Sequence, residues 1–189
     1  MPKFQRLKAN FYQQNTFKLA KALLGKYLIR KIGKKILIGK IVEVEAYYGP
    51  QDKASHASKG KTERTKIMFD KEGVAYIYLI YGMYHCLNIV TEKKDFPAAI
   101  LIRALEPIKN IKTKTNGPGK LCRAFKISKN LNGENLISSK KLYLAQKSKE
   151  KIKNSQIVKA KRIGVDYAGH YKHKLWRYYI KNNSFVSKK

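Results

Sequence analysis

Between Gly73 and Val90 the chain runs eighteen positions without an Asp, Glu, Lys or Arg, although 29% of its residues are charged. A stretch like this has to be buried, and its length leaves two ways to do so: a membrane-spanning helix, or two strands folded back on each other. Four tyrosines, His85 and Asn88 interrupt its apolar character, and Gly82 sits inside it. A span needs about 20 predominantly apolar residues. The segment therefore predicts a buried hairpin, AYIYLIY then HCLNIVT, turning around Gly82 and Met83.

The remaining chain follows the same period. Asn15 or Thr16 caps a helix whose Phe17, Ala20, Leu23 and Leu24 share one face, and Gly25 stops it. YLIRKI and ILIGKIVEVEAYY, joined by Gly-Lys-Lys, predict a first hairpin over Tyr27 to Tyr48. After Gly49-Pro50 comes a long polar surface loop, and beyond the second hairpin a strand, AAILIRALEP, expected to end at Pro107. A basic loop leads into a short helical piece, KLCRAFKI. Residues Ser128 to Gln156 predict surface excursions around one strand, KLYLAQ, and an aromatic-rich segment, KRIGVDYAGHYKHKLWRYYI, closes the chain. Strands with few helices between them predict one α+β domain over residues 1–189: a mostly antiparallel, curved sheet with a protruding hairpin, surrounded by short helices.

Charge narrows the partners. With 42 Lys+Arg against 12 Asp+Glu, the net charge is +30 and the sequence pI about 10.1. Polyanions such as nucleic acid, or an anionic membrane surface, are the partners such a balance favours. Of the basic residues 35 are Lys and 7 are Arg, a skew that AT-rich codon usage alone would also produce. Cys86 and Cys122 form no CxxC pair, which speaks against a disulfide scaffold or cysteine zinc site and for a reducing compartment. The start, MPKFQRLKANFYQQ, has no secretory apolar run, so a soluble protein is expected.

Acids are scarce, so the two in KIVEVEAYY stand out. By strand alternation Ile41, Glu43, Glu45 and Tyr47 face one way and Val42, Val44 and Ala46 the other. A carboxylate half-buried beside a ring has a raised pKa and can hold or take a proton; on an edge strand it would simply face solvent. The loop residue His56 and the hairpin residue Tyr78 add two more flat groups, and with Tyr47 they can clamp a planar ligand such as a nucleobase. Of Tyr76, Tyr78, Tyr81 and Tyr84, two read more simply as sheet packing, whereas Tyr81, beside Gly82 at the hairpin tip, is placed to wedge into a base stack.

These residues resemble the alkyladenine (3-methyladenine) DNA glycosylases of the mammalian type. The resemblance is carried, in order, by IVEVEAYYGPQDKASH, MFDKEGVAYIYLIYGMYHCLNI, ILIRALEP, NGPGKLCRAF and RIGVDYAGH, from about Phe11 to about Val186. It implies that Glu45 positions and deprotonates the water that attacks the sugar C1′. It also implies that Tyr47 stacks on one face of a flipped purine, that His56 and Tyr78 line the other, and that Tyr81 fills the vacated stack. Asn88 would discriminate among purines at the exocyclic edge, Arg103 would lie near the DNA backbone, and Ile163 and Gly164 would offer backbone contacts to the base. The expected partner is double-stranded DNA containing damaged purines, bound by a monomer away from membranes, in the cytoplasm at a bacterial nucleoid or in a eukaryotic nucleus. No cofactor and no metal are expected, and the absence of a Schiff-base lysine implies that the reaction stops at an abasic site. Residues Ser128 to Gln156 do not match the family, the stretch between Pro107 and Gly117 is shorter than in mammalian members, and His85 has no counterpart role. Two alternatives stand beside this reading. One is a basic non-enzymatic RNA- or ribosome-binding module; the other is a metal-dependent nuclease built on Glu43, Glu45, Asp52 and His56.

Overall fold

A computed structural model describes residues 4–148 and 150–188. Its strands are β1 (Phe4–Arg6), β2 (Tyr27–Ile32), β3 (Lys35–Tyr48), β4 (Ala75–Ile80), β5 (Tyr84–Val90), β6 (Ala98–Lys109), β7 (Leu142–Lys147), β8 (Ile157–Ala160) and β9 (Arg177–Ile180). Three short helices accompany them: α1 (Ala9–Tyr12), α2 (Thr16–Leu23) and α3 (Pro118–Ala124). All nine strands join one sheet in the order β1-β7-β2-β3-β6-β5-β4, with β9 on β3 and β8 on β9, and among the described residues every pairing is antiparallel. This is the α+β arrangement expected from the strand pattern.

Strand β3 organises the molecule because it has different neighbours along its length. Its first half pairs with β2, while Glu43, Val44 and Glu45 pair with β9, and β6 runs along its other side. Glu43 and Glu45 are thus central rather than on an edge, and both are fully buried. The strict alternation expected for this strand also fails. The β3–β6 register shifts between Ile41 and Glu43 and again between Glu43 and Val44, so Val42 on β3 and Arg103 on β6 are unpaired bulge residues. Ile41 consequently joins the same apolar core as Val42, Val44 and Ala46, instead of sharing a face with the glutamates. The bulge on β6 turns Arg103 toward both acids.

Helix α2 is capped as expected, the Asn15 side chain accepting from Phe17 N at 3.0 Å, and buries Leu19, Ala20 and Leu23 in the main core. Strand β6 does not end at Pro107: Gly39 pairs with Pro107 and Ile38 with Lys109, the shift of one residue absorbing the missing N–H. The strand expected at KLYLAQ is β7. It inserts between β1 and β2 with Leu142, Leu144 and Ala145 buried, a non-local pairing that composition does not disclose. The eighteen-residue run is the β4–β5 hairpin. Only Asn88 to Val90 of β5 pair with β6, so the half around Tyr81, Gly82 and Met83 projects beyond the sheet. Helix α3 supports that projection. Gly119 lies so close to the Tyr84 ring that a Cβ there would come within 2.9 Å of it. Among the described residues no helix is long and apolar enough to cross a membrane.

Candidate active site

A pocket of about 120 Å³ opens beside the projecting hairpin, lined by residues of β3, β4, β5, β6 and the two loops around His56 and Gly164. The structure brings together Tyr47, His56, Tyr78, Asn88, Arg103, Ile163 and Gly164 in that lining. Glu45 lies behind the wall formed by its own three donors: Ile163 N gives Oε1 a bond of 2.7 Å, and Tyr47 Oη and Arg103 Nη1 reach Oε2 at 3.0 and 3.2 Å. Burial pushes the Glu45 carboxyl up, and Arg103, the Ile163 N–H and the Tyr47 hydroxyl oppose that rise. A carboxylate offers about four acceptor positions, so about one remains for a water.

Two groups of aromatic side chains line the cavity. Tyr47 carries the Arg162 guanidinium 4.8 Å from its ring centroid. His56 meets Tyr78 edge-on at 4.4 Å, and its Nδ1 lies 3.1 Å from the Tyr76 hydroxyl. Burial, with Arg64 and Lys59 nearby, lowers the His56 pKa to about 4. Near neutral pH His56 is therefore an uncharged, flat wall, not a proton reservoir. Asn88 is 3% exposed and its Nδ2 donates to Tyr76 O and Cys86 O at 3.1 and 3.4 Å. That fixes the amide plane and leaves Oδ1 as its free acceptor.

Tyr81 stands apart from this group. It is 81% exposed at the hairpin tip with φ of 52°, an uncommon backbone for a non-glycine residue that a three-residue turn with Gly82 imposes. Arg103 is placed differently from the expectation of a residue near the DNA backbone. Its guanidinium is buried, with Nε 3.3 Å from Glu43 and Nη1 3.2 Å from Glu45, because the bulge aims it inward.

Several supporting residues escaped the sequence reading. Glu43 is held by Arg177 Nη1 at 3.0 Å and by Ser187 N at 2.6 Å, so it anchors Arg103 from below. Asp52 accepts two bonds from Arg162, at 2.6 and 2.8 Å, and Arg162 also reaches Ala46 O and Tyr171 O. This clasp ties the loop carrying His56 to the loop carrying Ile163. The signal for it was present: seven arginines among 42 basic residues mark positions where a planar, multi-donor cation is required, and four of them are buried, Arg103, Arg162 and Arg177 around this site and Arg30 on β2. Asp52, bound to Arg162, is engaged away from Glu43 and Glu45, and among the described residues no cluster of three metal-ligating side chains occurs.

A strongly basic α+β chain with one multiply held carboxylate beneath a slot of aromatic rings fits an enzyme that works on a base of nucleic acid. The family model for methylpurine-DNA glycosylase matches residues 10–184, and the chain belongs to that family. Curated relatives bear the name "Putative 3-methyladenine DNA glycosylase". One from Legionella pneumophila (strain Corby) is 50% identical over 184 residues, covering 97% of this chain and 99% of the relative. Another from Clostridium perfringens (strain 13) is 48% identical over 205 residues, covering 97% and 100%. A third, from Natranaerobius thermophilus, is 44% identical over 197 residues, covering 96% and 98%. The chain is accordingly a DNA glycosylase, a hydrolase of DNA repair that acts on alkylated bases. The alternative of a non-enzymatic RNA-binding module falls with that membership.

Proposed function

We propose that the protein, acting as a monomer on duplex DNA, flips alkylated and deaminated purines into the slot between Tyr47 and the His56–Tyr78 pair. There it hydrolyses the N-glycosidic bond with a water held by Glu45, leaving an abasic site. The observation that carries this reading is Glu45: fully buried, yet gripped by three donors, two of whose side chains and one of whose backbones line the pocket shared with His56 and Tyr78.

The physical steps support one another. Extruding a base costs a few kcal/mol of stacking and pairing, least for a damaged and weakly paired one. Insertion of the exposed Tyr81 at the tip and two-sided stacking in the slot offset that cost. A purine carrying an alkyl group and positive charge is drawn to the faces of Tyr47 and Tyr78. It also leaves readily, because departure neutralises it. As the bond breaks the sugar gains positive character, which an ionised Glu45 stabilises while orienting the water. Arg103 acts through Glu45 by favouring that ionised form. Neutral lesions such as hypoxanthine lack the built-in leaving-group charge, and His56, uncharged near neutrality, does not supply a proton to them. Asn88 Oδ1 reads the exocyclic edge, and Ile163 and Gly164 lie along the base through their backbone.

The test is Glu45→Gln, which preserves shape and removes the base. Single-turnover excision from duplexes bearing 3-methyladenine, 7-methylguanine, ethenoadenine or hypoxanthine, read as alkali-labile strand cleavage, is expected to fall by at least about 100-fold, with lesion-duplex binding retained. Full excision by the variant would remove Glu45 from the mechanism.

A further inference from the structure

The mouth of the base pocket carries a second exposed aromatic residue that the steps above leave unused. Tyr167 lines the pocket and yet is 71% exposed. It does not hang from a loose loop. Val165 before it and Ala168 after it are buried against Ala54 and the Tyr47 ring, so the backbone is pinned on both sides while the ring is held outward. Its hydroxyl lies 3.5 Å from Ala54 O, at the limit of a hydrogen bond, a contact that does not account for the ring's position. Burial of the hydroxyl end, with Asp52 and Tyr81 near it, raises the phenol pKa against the opposing influence of Arg162. Tyr167 thus stands at the pocket mouth on the loop that carries Ile163, and the hairpin-tip residue Tyr81 is near enough to influence its hydroxyl.

We infer that Tyr167 is a DNA-contacting residue whose ring packs on the extrahelical nucleotide at the pocket mouth and so stabilises the flipped state. This rests on the base-flipping reading above. A nucleotide whose base occupies the slot has its sugar at the entrance, beside the exposed Tyr167 ring. An anchored ring with most of its surface in water gains most from such a partner. A contact of this kind depends on the ring and not on the hydroxyl, and it forms only when a base has left the helix.

The experiment compares Tyr167→Ala and Tyr167→Phe in the non-excising Glu45→Gln background, measuring affinity for an ethenoadenine duplex and for the undamaged duplex. Exposure of the side chain makes both variants fold, which an unchanged urea midpoint confirms. With Tyr167→Ala, lesion-duplex affinity is expected to fall about tenfold, the loss of one stacking contact, while affinity for undamaged duplex is unchanged and Tyr167→Phe retains the parent ratio. An unchanged ratio of lesion to undamaged affinity in Tyr167→Ala would overturn the inference alone. Absence of any lesion preference in the parent Glu45→Gln protein would instead overturn the base-flipping reading on which the inference rests.

Discussion

Arg162 and Asp52 meet through two parallel contacts of 2.6 and 2.8 Å with both side chains shut off from solvent. The pair is more than an isolated ion pair, since Asp52 also accepts from Ala54 N and Tyr48 N and Arg162 donates to Ala46 O. It joins two loops and the end of β3 at one point. Leaving one charge of a buried pair without its partner costs about 3–5 kcal/mol. Arg162→Met is therefore expected to lower the unfolding free energy by roughly that amount, read as a drop in urea midpoint. Adding Asp52→Leu should recover much of the loss, because the abandoned carboxylate is then gone. Additive losses in the double variant would contradict the coupling.

A second expectation concerns the acid limb of excision. Burial raises the Glu45 carboxyl and Arg103 holds it down. In the proposed mechanism its ionised form is the active one, so activity is expected to rise with pH through that raised value. Arg103→Met removes the opposing cation, and the limb should move further toward alkaline pH while the fully ionised rate is approached only at the top of the range. A limb that stays in place, measured by single-turnover rates from pH 5 to 9, would show that Arg103 does not act through Glu45.

His56 titrates in the opposite sense. Its folded pKa is lowered from 6.5 to about 4, so the unfolded chain binds a proton that the folded one does not. Stability supplied by the neutral ring is complete above about 6.5 and is lost as pH falls toward about 4. His56→Gln should flatten the decline of unfolding free energy across that window and leave the excision limb of Glu45 where it is. A parallel decline in parent and variant would assign the acid lability elsewhere.

Tyr81 offers the most direct view of flipping. Tyr81→Ser leaves the pocket intact, as the side chain is 81% exposed, and is expected to cost about 1–3 kcal/mol of stacking in the bound complex. The readout is the emission of 2-aminopurine placed beside a lesion, which brightens when its neighbour leaves the stack. Unchanged emission would remove the wedge role.

Local pattern carried much of this molecule into view. The charge-free run at Gly73 to Val90 becomes β4 and β5, the Asn15 cap and the Gly33 turn occur where the residue chemistry places them, and Tyr47, His56, Tyr78 and Asn88 line one pocket with Glu45 bonded to its wall. What stayed hidden depends on distant partners. No local pattern announces that β7 enters between β1 and β2, or that paired bulges at Val42 and Arg103 swap the faces of β3. Arg103 illustrates the difference: its position on a strand was legible, but whether it points to solvent or to Glu45 is decided by one extra residue in the ladder. Glu43 and Asp52 were visible as rare acids, and only their arginine partners explain them.

The six interior ions, Glu43, Glu45 and Asp52 with Arg103, Arg162 and Arg177, sum to zero and are all under 9% exposed. The whole surplus of +30 therefore resides outside them, carried almost wholly by lysine. Dissolved salt acts strongly on the outer charges and hardly at all on the inner ones. Raising ionic strength is thus expected to loosen the grip of the lysine-rich surface on DNA phosphates while leaving the buried acid–arginine pairs as they are. The two sets of charges occupy electrically separate compartments of one small fold.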